Sequence, residues 1–146
     1  MSTVVPFATT TYVRDACLCL HAQRAARALS RRFDEAMRPL GLTSGQFSLL
    51  MALNRPEPAP MASVVRLLAM DRTTLTAALK VLERRGLATA AVDPKDRRGR
   101  LLSLTEAGRV SLAAAVPVWR ETHAAVEATL AGLDLEALRI SLRALR

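Results

Sequence analysis

The chain has 146 residues, a formal net charge of +8, 51% hydrophobic residues and 3% aromatics. That length holds one domain with a core that needs neither disulfides nor metal. Two Cys give no disulfide framework, no apolar run reaches the ~20 residues of a membrane span, and residues 1–11 lack the basic start of a signal peptide, so a cytoplasmic protein is expected.

The positive charge asks for an anionic partner, nucleic acid before a membrane surface. Three Phe, one Tyr and one Trp, scattered along the chain, cannot form the stacking platform of a single-strand binder, which leaves duplex DNA. With two His, no Gly-rich phosphate loop and no His/Cys/carboxylate cluster at metal spacing, the sequence implies no enzyme, no cofactor and no metal site.

Met1 to Thr11 reads as an extended arm around Pro6. Val4, Val5 and Phe7 either pack on a partner subunit or fray. Tyr12 to Leu40 predicts one long helix, free of Gly and Pro before Pro39 and carrying Arg14, Arg24, Arg27, Arg31, Arg32 and Arg38. Within it, Cys17 and Cys19 fall about 200° apart around the axis, so a disulfide between them requires local unwinding. Cys17 and His21 share a face but supply two ligands where a metal needs three or four. The simplest reading is two small apolar residues and a surface His; the other is a redox role for one of the thiols.

Ser44 to Asn54 predicts a second helix, capped by Thr43 or Ser44. Arg55-Pro56-Glu57-Pro58-Ala59-Pro60 is a stiff connector, with too many Pro for helix or central strand. Met61 to Leu68 is a short helix with Val64, Val65 and Leu68 inward, and Arg66 is a candidate phosphate contact or a plain surface charge. Ala69-Met70 turns into the next helix, whose N-cap is Asp71.

That helix carries Leu75, Ala78, Leu79 and Leu82 at i, i+3, i+4, i+7 and ends at Gly86. Arg72, Thr73, Thr74, Thr76 and Lys80 occupy its early turns, largely off the apolar face, as cations and hydroxyls suited to base edges and phosphates in a major groove. Leu87 to Val92 and Leu101 to Leu104 predict two strands of a hairpin, and only two. Between them runs Asp93-Pro94-Lys95-Asp96-Arg97-Arg98-Gly99-Arg100. Its cations Lys95, Arg97, Arg98 and Arg100 suit a narrow minor groove and its phosphates. Asp96 is expected to position the loop by pairing with one of its Arg side chains, since a carboxylate facing phosphate would repel it.

Thr105 to about Ala131 predicts a long helix, kinked or broken at Pro117, with Trp119 and His123 one turn apart beyond it. Gly132 ends it. Leu133 to Arg146 forms the last helix, whose Leu135, Leu138, Leu142 and Leu145 make a coiled-coil-like stripe. A terminal helix this short needs a partner to bury that stripe.

Four runs closely resemble the MarR family (multiple antibiotic resistance regulators): Asp71-Arg72-Thr73-Thr74-Leu75-Thr76, Leu82-Glu83-Arg84-Arg85-Gly86-Leu87, Asp93-Pro94-Lys95-Asp96-Arg97-Arg98-Gly99 and Leu104-Thr105-Glu106-Ala107-Gly108. The resemblance reaches back through Leu40-Gly41-Leu42-Thr43-Ser44-Gly45-Gln46-Phe47 and covers roughly Val13 to the C-terminus. It implies a mainly α fold with a small β-hairpin. A winged helix-turn-helix lobe would span residues 42–108, and helices in 1–40 and 109–146 would form a dimerisation region within a single domain, 1–146.

The implied function is a sequence-specific regulator of transcription. It would be a homodimeric repressor bound to an inverted repeat in double-stranded DNA, with Arg98 in the minor groove. Family effectors are often small aromatic or phenolic molecules held near the long C-terminal helix, which makes Trp119 and His123 candidates for that pocket. Some members instead sense peroxides through a Cys of the first helix, and Cys19 lies near the matching place. A non-specific architectural DNA-binding protein is the remaining alternative, and no membrane association is expected.

Overall fold

A computed structural model describes residues 3–145. Seven α-helices and three short strands follow one another as α1 (Phe7–Ala16), α2 (Leu18–Met37), α3 (Ser44–Leu53), β1 (Ala59–Pro60), α4 (Met61–Leu68), α5 (Arg72–Arg84), β2 (Ala88–Val92), β3 (Arg100–Leu104), α6 (Glu106–Thr129) and α7 (Leu135–Arg143). A 3-10 turn, Arg38–Leu40, joins α2 to the loop before α3.

The core lies in the middle of the chain. Met37, Leu49, Leu50, Val64, Leu75, Leu82 and Leu102 are fully buried, drawn from α2 through β3. Each such side chain stabilises the fold by about 1.5–3 kcal/mol relative to exposure. α6 closes this core through Leu112 and Ala115 and also packs along α2. By contrast, α1 and α7 bury no residue at all.

Several expectations are corrected. Of the arm's described residues, 7–11 are already helical, beginning behind Pro6 at the N-cap. The single helix from Tyr12 to Leu40 is two helices and a 3-10 turn, because Cys17 leaves the helical region (φ −71°, ψ 107°). Its thiol side chain stands where a Ser would cap: Sγ accepts the Leu20 main-chain N–H at 3.4 Å. Cys17 and Cys19 are therefore not two members of one helix.

A third strand exists. β1 pairs antiparallel with β3, Ala59 opposite Leu102 and Pro60 opposite Leu101, giving the order β1-β3-β2. Pro is tolerated there because an edge strand pairs on one side only. α6 runs unbroken through Pro117. The last helix starts at Leu135 behind an Asp134 cap and not at Leu133; Arg146 lies outside the described residues, as do Met1 and Ser2 of the arm.

The remaining boundaries match. Thr43 caps α3 in a reciprocal box with Gln46, α4 spans Met61–Leu68 as expected, and Gly86 has φ +69° at the end of α5. Ala69 turns α4 into α5 with φ +51°, a left-handed conformation that costs a non-Gly residue about 1 kcal/mol.

Candidate nucleic-acid interface

α5 begins at Asp71, whose Oδ1 accepts the Thr74 main-chain N–H at 2.8 Å and whose Oδ2 accepts the Thr74 hydroxyl at 2.6 Å. The Thr74 hydroxyl and then its N–H hold the Asp71 carboxyl below the ordinary carboxylate range. Leu75, Leu79 and Leu82 turn into the core. That burial leaves the opposite face outward, where Arg72, Thr73, Thr76, Ala77 and Lys80 line one shallow concavity. The Thr76 hydroxyl donates back to the Arg72 carbonyl at 2.8 Å, so its oxygen faces solvent as an acceptor. Thr74 stands apart from this group because its hydroxyl is committed to the cap.

The β2–β3 loop is shaped by its two carboxylates. Asp93 Oδ1 accepts the Lys95 N–H at 2.9 Å, and Asp96 Oδ1 accepts the Arg98 N–H at 3.0 Å. The expected pairing of Asp96 with an Arg side chain is thus replaced by one with the Arg98 main chain. A short Asp side chain reaches an N–H two residues on more readily than a guanidinium. Gly99 donates to the Asp96 carbonyl at 2.8 Å. With both acids occupied by backbone, Lys95, Arg97, Arg98 and Arg100 are all exposed.

Helix and loop meet. Arg72 Nη2 donates to the Arg98 carbonyl at 3.3 Å. The N-terminal end of α5 and the tip of the wing are therefore joined, with the cations of both close together and Oδ1 of Asp93 and of Asp96 engaged by main-chain N–H groups.

Behind this junction, Thr105 and Gly108 explain the Leu-Thr-x-x-Gly run. Thr105 Oγ1 donates to the Gly86 carbonyl at 2.6 Å and accepts the Gly108 N–H at 3.0 Å. A Cβ on Gly108 would stand 2.0 Å from the Leu87 carbonyl oxygen. These contacts lock the start of α6 onto the end of α5.

The other candidate residues lie elsewhere. Trp119 is half-buried and stacks on Phe47 (6.3 Å between centroids) and on His123 (4.7 Å). It lines a cleft of about 540 Å³ with Phe47, Met51, Leu67, Val116 and Arg120. His123 is not among the residues that line that cleft; its Nδ1 lies 3.7 Å from Glu127 of the same helix, which also pairs with Arg139 of α7. No sequence motif marks the α3 and α4 residues of this cleft.

Cys19 is exposed, and its Sγ accepts from Gln23 Nε2 at 3.4 Å. His21 Nδ1 sits 2.8 Å from the Cys17 carbonyl oxygen, not from a thiol. Among the described residues no group of three His, Cys, Asp or Glu could hold a metal ion, and no helix is long and apolar enough to cross a membrane.

The MarR family model matches residues 40–99. The chain is 36% identical over 89 residues to the transcriptional activatory protein BadR of Rhodopseudomonas palustris, covering 59% of this chain and 51% of BadR. It is 30% identical over 101 residues to the organic hydroperoxide resistance transcriptional regulator of Bacillus subtilis, 69% of each chain. Among solved structures, the M. tuberculosis transcriptional regulator MosR in complex with DNA superposes with a TM-score of 0.79 at 36% identity, over 88% of this chain and 92% of that one. The chain spans about half the length of BadR and of a second curated relative.

Proposed function

The chain belongs to the MarR family of transcriptional regulators, and from that premise we propose that it binds double-stranded DNA as a homodimeric repressor, released by a small-molecule effector. The observation that carries this reading is the Arg72–Arg98 contact, which brings the cations of α5 and of the wing close together. Residues 42–108 act as the reading lobe. Arg72, Thr73, Thr76 and Lys80 face a major groove, and Arg98 enters the flanking minor groove. Lys95, Arg97 and Arg100 take phosphates, Asp96 positions the wing, and Thr74 contributes through the cap.

Residues 1–40 and 109–146 supply the dimer. The exposed apolar residues of α1 and α7 support this, since Phe7 is 78% and Leu142 56% exposed in a single chain. The aromatic cleft beside Trp119, with Arg120 on its rim, is the effector site; His123 supports Trp119 from behind. An effector there acts by preferring one dimer conformation over another. The protein works in the cytoplasm, where its DNA is, and no catalytic role is proposed.

Fluorescence anisotropy of the reduced protein on duplexes tiling the DNA upstream of its own gene tests the reading. With scrambled competitor present, a regulator retains one salt-sensitive complex, whereas an architectural protein binds every tile alike.

A second reading is favoured by one observation, the helix break at Cys17, which leaves Cys19 exposed at the start of α2. In it Cys19 senses peroxide: the thiolate attacks the O–O bond, forms a sulfenic acid and releases an alcohol or water. Identical dissociation constants for reduced and peroxide-treated protein would end it.

A further inference from the structure

The C-terminal end of α5 is held by a cluster that the DNA-facing residues do not include. Gln46 is half-buried in the first turn of α3, and its Oε1 accepts two bonds: the Thr43 main-chain N–H at 3.0 Å and Arg85 Nη1 at 3.3 Å. Arg85 is the C-cap residue of α5. Its other terminal nitrogen lies over Gly41, where a Cβ would stand 3.3 Å from Nη2. Gly41 itself has φ +69°, so the guanidinium covers a turn that favours a residue without a side chain. On the far side of the same turn, Asp34 Oδ1 of α2 accepts the Ser44 N–H at 2.7 Å.

An Arg at the end of a groove-reading helix is ordinarily assigned to a phosphate. Here the exposed Arg85 guanidinium lies along the protein surface, Nη1 bonded to Gln46 and Nη2 beside Gly41. A planar guanidinium can bond Gln46 through one terminal nitrogen while the other packs over Gly41, a geometry that the point charge of Lys does not reproduce.

We infer that Gln46 and Arg85 are positioning residues: they clamp the C-terminal end of α5 to the N-terminal turn of α3 and so set the angle at which α5 meets DNA. Through Ser44 and Asp34 the clamp continues to α2, so the reading helix takes its orientation from the helix that leads to the dimerisation region. This inference rests on the DNA-binding reading for its consequence, but not for its geometry.

The experiment has a DNA-free and a DNA-bound arm. In the free protein, Arg85→Met and Gln46→Leu each accelerate amide exchange at Arg85–Leu87, and the double variant adds nothing further. Unchanged exchange in both single variants would overturn the clamp. On the tiled duplex that the wild type binds best, each single variant lowers affinity about five- to tenfold and the double variant no more than that. Gln46→Glu, which keeps the acceptor, stays near wild type.

The dependence of affinity on salt separates positioning from direct contact on a mixed-sequence duplex. A positioning residue leaves the slope of log K against log salt unchanged. A phosphate contact at Arg85 lowers it by about 0.9 and makes the two substitutions additive, which would overturn the inference. A wild type that selects no duplex sinks the regulator reading, while the exchange arm still decides the clamp.

Discussion

Arg72 donates from Nη2 to the carbonyl oxygen of Arg98 at 3.3 Å, across 26 residues of sequence. The first residue of α5 thereby ties the start of that helix to the tip of the wing. Arg72→Ala and Arg98→Ala are therefore expected to be non-additive in operator affinity. The coupling should be about 0.5 kcal/mol or more in a double-mutant cycle read by anisotropy at fixed salt. Strict additivity would mean that helix and wing act separately.

Arg98→Ala alone should weaken binding by more than about 1 kcal/mol, the loss of one good groove contact. Its main-chain N–H, bonded to Asp96, is retained in the variant, so the loop keeps its shape and the loss reports the guanidinium. An unchanged dissociation constant would remove Arg98 from the minor groove.

Gly108→Ala should destabilise the fold by about 2–3 kcal/mol, because the new Cβ falls 2.0 Å from the Leu87 carbonyl oxygen and the backbone must move. Thermal unfolding of the purified variant measures this. A midpoint equal to that of the wild type would show that α6 can shift away from Leu87 without cost.

The middle of the chain was far more legible in sequence than its ends. Asp71, Gly86 and the spacing of Leu75, Leu79 and Leu82 define α5 locally, and the structure keeps those boundaries. The break at Cys17 was not legible, because a thiol is a weak acceptor and no Gly or Pro marks the place. β1 is not legible locally, since its pairing is set by Leu101 and Leu102 across the sheet and not by Ala59 and Pro60 themselves. The same holds for the site. Cations of α5 and the loop announce themselves by spacing, whereas the Gln46–Arg85 contact joins residues 39 apart, and the cleft beside Trp119 is assembled from three helices.

Asp34 gives a pH dependence. The Ser44 main-chain N–H, and then its hydroxyl, hold the Asp34 carboxyl below the ordinary carboxylate range. A depressed folded pKa stabilises the protein above the unfolded pKa, and that contribution fades as pH falls through the folded value. Wild type should therefore unfold at a higher temperature than Asp34→Asn at neutral pH, with the gap closing below the ordinary carboxylate pKa. A gap that stays constant with pH would assign the difference to something other than the charge.

The stripe on α7 should be an interface. Leu138 and Leu142 are 39% and 56% exposed in the single chain. Replacing both with Glu should raise the dimer dissociation constant at least about 100-fold, given about 1.5–3 kcal/mol for each buried Leu. Sedimentation velocity reads this directly. A variant that remains dimeric at wild-type concentration would place the interface elsewhere.

Under the proposed function this chain reads DNA sequence as a two-fold dimer. Repeated selection of the reduced protein against a random duplex pool, at physiological salt with sequencing of the bound fraction, tests it most directly. The expected result is enrichment of one inverted repeat whose half-site centres lie about 10 bp apart. A bound pool with no enriched sequence would contradict it.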